Sequence, residues 1–215
     1  MSDECPFHYT MDPTMNNCNL KIFNSHSNDI YMFIVALIQT VVVDTSTETI
    51  NISCRSVMTL SEYLKNEDNY MPMNTCISLI DCVSKQIKFL EKRNLGYYAF
   101  DIADFIVIDN IFFVNCNSSK IVPIHKSLLE IHCWIEPSDF SSPELLSITE
   151  LPGKIDYRSS YYSLGLLVVF VLMNKNLSSA LNVGEEIACL DGSKLYWFLS
   201  RCLDRDPKKR HMLLI

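Results

Sequence analysis

Cysteine and histidine side chains are the first candidates for chemistry in this sequence. There are nine cysteines and five histidines, and His132 is followed directly by Cys133. A zinc site needs several such ligands at short spacings, and neither a Cys-x-x-Cys motif nor a second nearby ligand accompanies this pair. We therefore expect no metal site, and we interpret the cysteines as small hydrophobic residues of the core.

A nucleophile paired with a base is not predicted either. His125 and His132 lie in a stretch of irregular sequence, and no nucleophile stands out beside either of them. Cys116 has only Lys120 as a nearby basic residue, which gives little reason to expect a reactive thiolate. We interpret all three side chains as structural.

The glycines exclude the common phosphate-binding loops. The chain has only five glycines, and none of them stand at the spacing of GxGxxG or GxxxxGK[ST]. In dinucleotide-binding, P-loop and protein kinase folds, these motifs let backbone amides cradle phosphate groups. A phosphate-binding loop of any of these three kinds is therefore not expected.

The charge balance excludes two classes of partner. Asp and Glu outnumber Lys and Arg by 25 to 18, and the formal net charge is -7. The longest basic run is only Lys208-Lys209-Arg210. Because nucleic-acid-binding proteins carry a basic patch and anionic membranes attract polybasic clusters, we expect neither nucleic acid nor membrane as a partner.

The predicted location is the cytoplasm, inside the cell. The number of cysteines is odd and we recognise no signal peptide, which favours a reducing compartment. The longest apolar runs, residues 30–43 and 161–173, are shorter than the about 20 residues that a membrane-spanning helix needs.

The period of the hydrophobic residues changes near residue 58. Residues 20–53 alternate and are rich in β-branched side chains, which predicts two or three antiparallel strands, although the run 30–43 is also long enough for a helix. Residues 1–19 show no period, and we expect them to be poorly ordered.

Helices dominate the prediction for the rest of the chain. Thr59, with Glu62 three residues later, predicts the start of a short helix. The stretch beyond residue 117 contains three prolines and is expected to be irregular. The other predicted elements, in chain order, are a long amphipathic helix from about Asn74, a tight hairpin of Phe105–Ile108 and Ile111–Val114, a helix buried on all sides over 159–173, and a last amphipathic helix over 193–204.

Three short motifs stand in order in the second half of the chain: SPE at 142–144, YYSLGL at 161–166 and CLDRDPKKR at 202–210. With the long helix and the hairpin upstream, they resemble the C-terminal lobe of a eukaryotic-type Ser/Thr protein kinase in a degenerate form. The chain is also similar in character to the divergent kinase-like proteins of large DNA viruses, which would place it in a host cell.

The resemblance implies a fold and a division of the chain. The fold class is α+β, mostly α, with a kinase-like C-terminal lobe over residues 58–215. Residues 20–57 would supply the residual N-lobe strands and the hinge, after the segment 1–19. The glycine-rich loop, strand lysine and helix glutamate of a kinase N-lobe are missing, since Lys21 is a poor match to the family lysine.

The family's catalytic loop, HRDxxxxN, is poorly matched. Its His, Arg and Asp fall on residues 98–100, which are Tyr, Ala and Phe, and its Asn falls on Phe105. A one-residue deletion makes Asp101 the possible catalytic base. Asn115, at the place of the DFG aspartate, and Asp104 are then the candidates for binding a nucleotide-bound metal ion.

Three further positions follow from the resemblance. The aspartate that braces the family's catalytic loop is replaced by Ser160. Glu144 and Arg210 match a Glu–Arg ion pair that holds the family's C-terminal lobe together, the alternative being that both are surface charges.

The expected function is that of a catalytically inactive pseudokinase, a decoy, inhibitor or scaffold that binds another kinase or signalling protein and needs no cofactor. The alternative is a divergent Ser/Thr kinase that transfers phosphate from ATP with Mg²⁺ and uses Asp101 as base. A homodimer or a docked partner is also possible if an aromatic cluster is exposed. The alternative is that these rings fill the cleft in which the kinase family binds its nucleotide. The cluster comprises Tyr97, Tyr98, Phe100, Phe105, Phe112 and Phe113.

Overall fold

The computed structural model describes residues 7–12, 17–22, 41–44, 49–67, 70–114, 120–177 and 182–212, with side chains from residue 54 onward. Within these residues the chain forms six α-helices and eleven β-strands, and the strands pair in three sheets. The fold class is therefore α+β, as predicted. None of the described helices combines the length and the hydrophobicity that crossing a bilayer requires.

The N-terminal sheet contains four antiparallel strands, β1 (Phe7–Asp12), β2 (Asn17–Ile22), β3 (Val41–Asp44) and β4 (Thr49–Ser53), paired in the order β1-β2-β4-β3. The prediction of antiparallel strands within 20–53 is confirmed. The segment 1–19, expected to be poorly ordered, contains β1 and the start of β2. The apolar stretch 30–40, for which strand and helix were both open, lies outside the described residues.

Reciprocal capping explains the start of helix α1 (Leu60–Asn66). Thr59 Oγ1 accepts a hydrogen bond from the Glu62 N–H at 3.1 Å, and Glu62 Oε2 accepts one from the Thr59 N–H at 2.8 Å. These bonds satisfy donors that the first turn of a helix leaves without an intrahelical partner. The predicted start of this helix is confirmed.

Helix α2 (Met73–Glu91) presents an apolar face to the core. Within the predicted stripe, Ile80, Val83, Ile87 and Leu90 are buried. The face is apolar because these residues recur every three or four positions, which places them on one side of the helix.

A second sheet contains three strands in the order β5-β7-β8, which span Val57–Thr59, Phe105–Ile108 and Ile111–Val114. Asp109 and Asn110 join β7 to β8 with φ values of 47° and 64°, as in the tight two-residue turns of β-hairpins. Oδ1 of Asp109 also accepts the N–H groups of Arg55 and Ser56, each at 2.9 Å. The predicted hairpin is confirmed, and its turn holds the chain that enters β5.

A third sheet replaces much of the stretch predicted to be irregular. Its strands, in order of pairing, are β11 (Gly153–Asp156), β10 (Leu128–Ile131), β9 (Ile121–His125) and β6 (Leu95–Tyr97). Pro123 argues against a strand because proline cannot donate to a ladder. Here β10 pairs only with residues 124 and 125 of β9, so no donor is required from Pro123 on that side. The irregular interpretation is wrong for these strands.

The remaining helices are α3 (Pro143–Leu146), α4 (Ser159–Met173), α5 (Val183–Glu186) and α6 (Lys194–Cys202). Most of the 15 residues of α4 are buried, as predicted for this apolar segment. Gly165 allows the chain after α6 to approach α4 closely, since a Cβ at this position would lie 2.8 Å from Cδ2 of Leu203. The predicted helix over 193–204 corresponds to α6.

The aromatic cluster that was considered as an interface lies in the interior. All six rings are at most 5% exposed. Tyr97 and Phe100 lie with ring centroids 5.0 Å apart, and Phe100 and Phe105 with centroids 5.9 Å apart, at distances typical of favourable ring contacts. The rings fill the core, and the interpretation as an exposed patch is wrong.

Candidate functional site

The segment 98–104, between β6 and β7, holds the positions that the kinase resemblance assigns to catalysis. Tyr98 and Ala99 belong to a small apolar cluster beneath the third sheet, whereas Phe100 belongs to the main core. All three are at most 5% exposed. The segment is therefore anchored in two apolar clusters, and these side chains are not available to a ligand in solvent.

Asp101 differs from its three predecessors because it is half-buried and lines a surface cleft of about 450 Å³. Ile102, Phe140 and Phe170 contribute apolar side chains to the same cleft. The main-chain N–H of Asp101 donates to Oδ2 of Asp104 at 2.7 Å, which closes a single turn of 3-10 helix. The candidate base thus lines a solvent-accessible cleft of mixed polar and apolar lining.

Asp104 lies in the interior and is paired with Lys120. Its carboxylate is almost fully buried, and Oδ2 lies 2.6 Å from Nζ of Lys120. Burial raises the pKa of Asp104 above its ordinary value, and the ammonium of Lys120 opposes that rise. The oxygen Oδ2 thus already has two donors, an ammonium and a backbone N–H.

The third candidate ligand, Asn115, lies outside the described residues, as does Cys116. The strand that leads to them is fixed at its last residue, Val114. The side-chain amide of Gln86 donates to the Val114 carbonyl at 2.5 Å and accepts the Val114 N–H at 2.9 Å. It also donates to the hydroxyl of Tyr97 at 2.9 Å. The buried side-chain amide of Gln86 therefore makes the two hydrogen bonds to Val114 that a neighbouring strand would otherwise make.

A serine of helix α4 contacts the segment 98–104, and it is not Ser160, the residue that the resemblance places at the position of the bracing aspartate. Ser160 Oγ donates to the carbonyl of Tyr157, one turn back along the chain. The contact is made by Ser159 instead, whose hydroxyl donates to the Tyr98 carbonyl at 2.7 Å. The hydrogen bond that joins this helix to the loop is therefore made at the position next to Ser160.

This serine is also joined to the Ser-Pro-Glu motif. Oγ of Ser142 lies 2.7 Å from Oγ of Ser159. Since Ser159 gives its only hydroxyl hydrogen to Tyr98, the hydrogen between the two serines comes from Ser142. Ser142 in turn accepts the N–H of Leu145 and caps helix α3. The chain of hydroxyl groups connects α3, α4 and the loop.

Glu144 and Arg210, the two residues matched to a family ion pair, are in contact. Nη2 of Arg210 donates to Oε2 of Glu144 at 2.9 Å, and Nη1 donates to Oε1. The side chain of Arg210 is fully buried. Its Nε donates to the Asp204 carbonyl at 2.7 Å, and its guanidinium lies over the ring of Tyr162. Two-point hydrogen bonding and burial make this a structural pair rather than two surface charges.

The remaining candidates for chemistry do not form a centre. His132 is exposed and lies 3.6 Å from Glu130, and Cys133 is exposed beside it. Over the part of the chain that the structure describes, no group of three or more His, Cys, Asp and Glu residues could hold a metal ion. Burial raises the pKa of the Cys76 thiol to about 12, as expected for a cysteine of the core.

Three of the polar contacts around the loop were not anticipated. Lys120 and Ser159 carry no local signal, because their partners lie 16 and 61 positions away. Gln86 does carry a local signal in the sequence, because it stands directly before Ile87 on the face of α2 that the hydrophobic pattern assigns to the core. A polar side chain at such a position must find a buried partner.

Comparison of the sequence with protein-family models and with curated proteins finds no match. The chemistry of the site therefore has to be argued from its own residues.

Proposed function

We propose that this chain is a catalytically inactive, protein kinase-like binding module that regulates another kinase or signalling protein as a decoy, inhibitor or scaffold. The observation that carries the proposal is the burial of residues 98–100. In the kinase resemblance these positions supply polar groups to the reacting phosphate, whereas here they are Tyr, Ala and Phe, each at most 5% exposed. The loop contributes to folding and offers no carboxylate, imidazole or guanidinium group at these positions.

The described residues of this segment are poorly suited to bind a magnesium nucleotide, which supports the same proposal. Mg²⁺ takes oxygen ligands in near-ideal octahedral geometry, and carboxylates are its usual protein ligands. Oδ2 of Asp104 is already bonded to Lys120 and to the Asp101 N–H. An ammonium group beside this carboxylate also repels a second cation. The described residues of this segment therefore fit a metal-bound nucleotide poorly.

Buried polar contacts on both sides of this loop support the proposal of a rigid module. The Glu144–Arg210 pair joins α3 to the chain after α6, and the hydrogen bonds of Ser159 join α4 to the Ser142 hydroxyl and to the Tyr98 carbonyl of the loop. A binding module needs a rigid scaffold but not a phosphate-transfer site, so this combination favours binding over catalysis.

The test is thermal unfolding of the full chain with and without millimolar ATP, in the presence and absence of Mg²⁺ or Mn²⁺. A ligand that binds only the folded state must raise the unfolding temperature. We expect no shift, whereas a metal-dependent rise would contradict a module that has lost nucleotide binding. Guanidine unfolding of the same sample supplies the control that the protein is folded.

One observation favours the alternative of a divergent Ser/Thr kinase with ATP and Mg²⁺. The carboxylate of Asp101 stands at a cleft of about 450 Å³, where it could accept the proton of a substrate hydroxyl. The test is phosphate transfer from labelled ATP to a mixed Ser/Thr peptide, with Asp101→Asn as the variant. Activity that disappears in Asp101→Asn supports the kinase, and activity that persists in it comes from a contaminating enzyme.

A further inference from the structure

Three surface clefts meet on one face of the protein. The first, at Asp101, has a volume of about 450 Å³ and shares residues 137–139 and Asn176 with the second, of about 320 Å³. The second shares Pro137 and Leu146 with the third, of about 240 Å³. Because neighbouring clefts share lining residues, the three clefts adjoin one another, and we call them together the 131–148 groove after the segment that supplies most of their lining.

One end of the 131–148 groove is acidic. Asp101 and Asp139 both line the first cleft, and the described residues that line the three clefts include no lysine or arginine. Asn176 donates to Oδ2 of Asp139 at 2.9 Å and so positions this carboxylate at the wall of the groove. Two carboxylates without a basic residue in the lining create a local negative potential.

The other end is apolar and open to solvent. Trp134 is 68% exposed and Leu146 is 43% exposed, and both line the third cleft. Ile135, Leu145 and Ile148 continue the apolar lining. Large exposed side chains grouped around a cleft are typical of interaction surfaces, and aromatic residues often provide the anchors.

We propose that the 131–148 groove binds an extended segment of a protein partner, with a lysine or arginine against Asp101 and Asp139 and an apolar side chain against Trp134 and Leu146. Charge complementarity selects this occupant. A second copy of this chain is disfavoured because its net charge is also -7. The inference rests on the proposed function as a binding module and specifies the chemistry of its partner.

The two tryptophans make the test direct. Trp134 and Trp197 are the only tryptophans in the sequence, so Trp197→Phe leaves Trp134 as the only tryptophan, whose emission can be excited selectively over that of the tyrosines. The probe is a short synthetic peptide with a pair of arginines followed by a pair of leucines in a Gly/Ser background. We expect saturable binding with a blue shift of the Trp134 emission, because an apolar side chain of the peptide displaces water from the indole.

Variants assign the two ends of the groove. Asp139→Asn keeps the size of the side chain and removes its charge, and should weaken binding about tenfold. Leu146→Ser should weaken it about fivefold through lost apolar contact. Glu67→Gln removes the same charge from an exposed residue outside the groove and should leave the affinity unchanged. If Asp139→Asn does not fold by circular dichroism, Asp101→Asn takes its place.

Several results would overturn the proposal. One is equal binding of a peptide in which glutamates replace the arginines, and another is an affinity that neither Asp139→Asn nor Leu146→Ser changes. A third is sedimentation showing a dimer that Leu146→Ser dissociates, which would make a second copy the occupant. The two proposals can fail separately. If the peptide does not bind and ATP does not shift the unfolding temperature, the groove is rejected as a peptide-binding site and the proposed function stands. If ATP does raise the unfolding temperature, the proposed function itself is rejected.

Discussion

Nζ of Lys120 lies 2.6 Å from Oδ2 of Asp104, and this ion pair closes the interior side of the segment 98–104. The carboxylate is almost fully buried, whereas a quarter of the lysine side chain remains exposed. The ammonium therefore does two things. It stabilises the charged form of the Asp104 carboxylate, which would otherwise be unfavourable in the interior. It also occupies Oδ2, an oxygen that a metal ion would need as a ligand.

Replacing Lys120 by Met leaves Asp104 as a buried charge without its counter-ion, which should lower the free energy of unfolding by about 3 kcal/mol at neutral pH. Burial already raises the pKa of Asp104, and loss of Lys120 raises it further. An acid whose folded-state pKa is raised stabilises the fold when protonated, and that stabilisation is lost as pH rises through the folded-state pKa. The difference between variant and wild type should thus shrink as pH falls.

Urea denaturation at several pH values measures this difference. Lys85→Met is the matched control, because Lys85 pairs with Asp81 on the exposed face of α2 and such pairs contribute little. A stability loss in Lys120→Met that is independent of pH would contradict the role assigned to the Asp104 charge.

Replacing Ser159 by Ala removes the hydrogen bond to the Tyr98 carbonyl and the acceptor for the Ser142 hydroxyl. Both groups are buried and would lose a partner, so we expect a loss of about 2 kcal/mol in the free energy of unfolding. Ser78→Ala, on the exposed face of α2, should change stability little. Equal effects of the two variants in thermal unfolding would mean that the hydroxyl chain does not hold the loop.

The Glu144–Arg210 pair is tested by a double-mutant cycle. Glu144→Gln or Arg210→Met alone leaves one member of the pair without its ionic partner and should cost about 3 kcal/mol. The double variant leaves no such charge, so its loss of stability should be clearly smaller than the sum of the two single losses. Lys209→Gln, an exposed neighbour, serves as control. Additive losses in chemical denaturation would argue against a coupled pair.

Gln86→Met should lower the free energy of unfolding by about 3 kcal/mol, because the N–H and the carbonyl of Val114 both lose their partner in the interior. Methionine keeps the approximate volume, so the effect isolates the hydrogen bonds from packing. Amide hydrogen exchange at Val114 is the specific measurement: faster exchange than in the Lys85→Met control is expected. Unchanged protection would show that the amide does not fix the end of β8.

The local elements of this fold were predictable from the sequence. The Thr59–Glu62 capping box, the stripe of α2, the hairpin at Asp109-Asn110 and the apolar helix α4 each arise from interactions within a few residues along the chain. The prediction failed for the third sheet. Strands β9 and β10 are short, β9 contains Pro123, and the Lys126-Ser127 turn that joins them lacks the usual glycine or asparagine. Their other partners, β6 and β11, lie far away in sequence, so long-range pairing completes the sheet.

The sequence by itself determined that the glycine spacings of the common phosphate-binding loops are absent, and it predicted the helices and the hairpin that place the candidate residues. Only the tertiary structure decided which polar groups meet. Lys120 reaches Asp104 across 16 positions, Ser159 reaches Tyr98 across 61, and the 131–148 groove joins residues from four separate segments. Such contacts form because a buried polar group must find a partner, and the packing of the whole chain sets which partner is within reach.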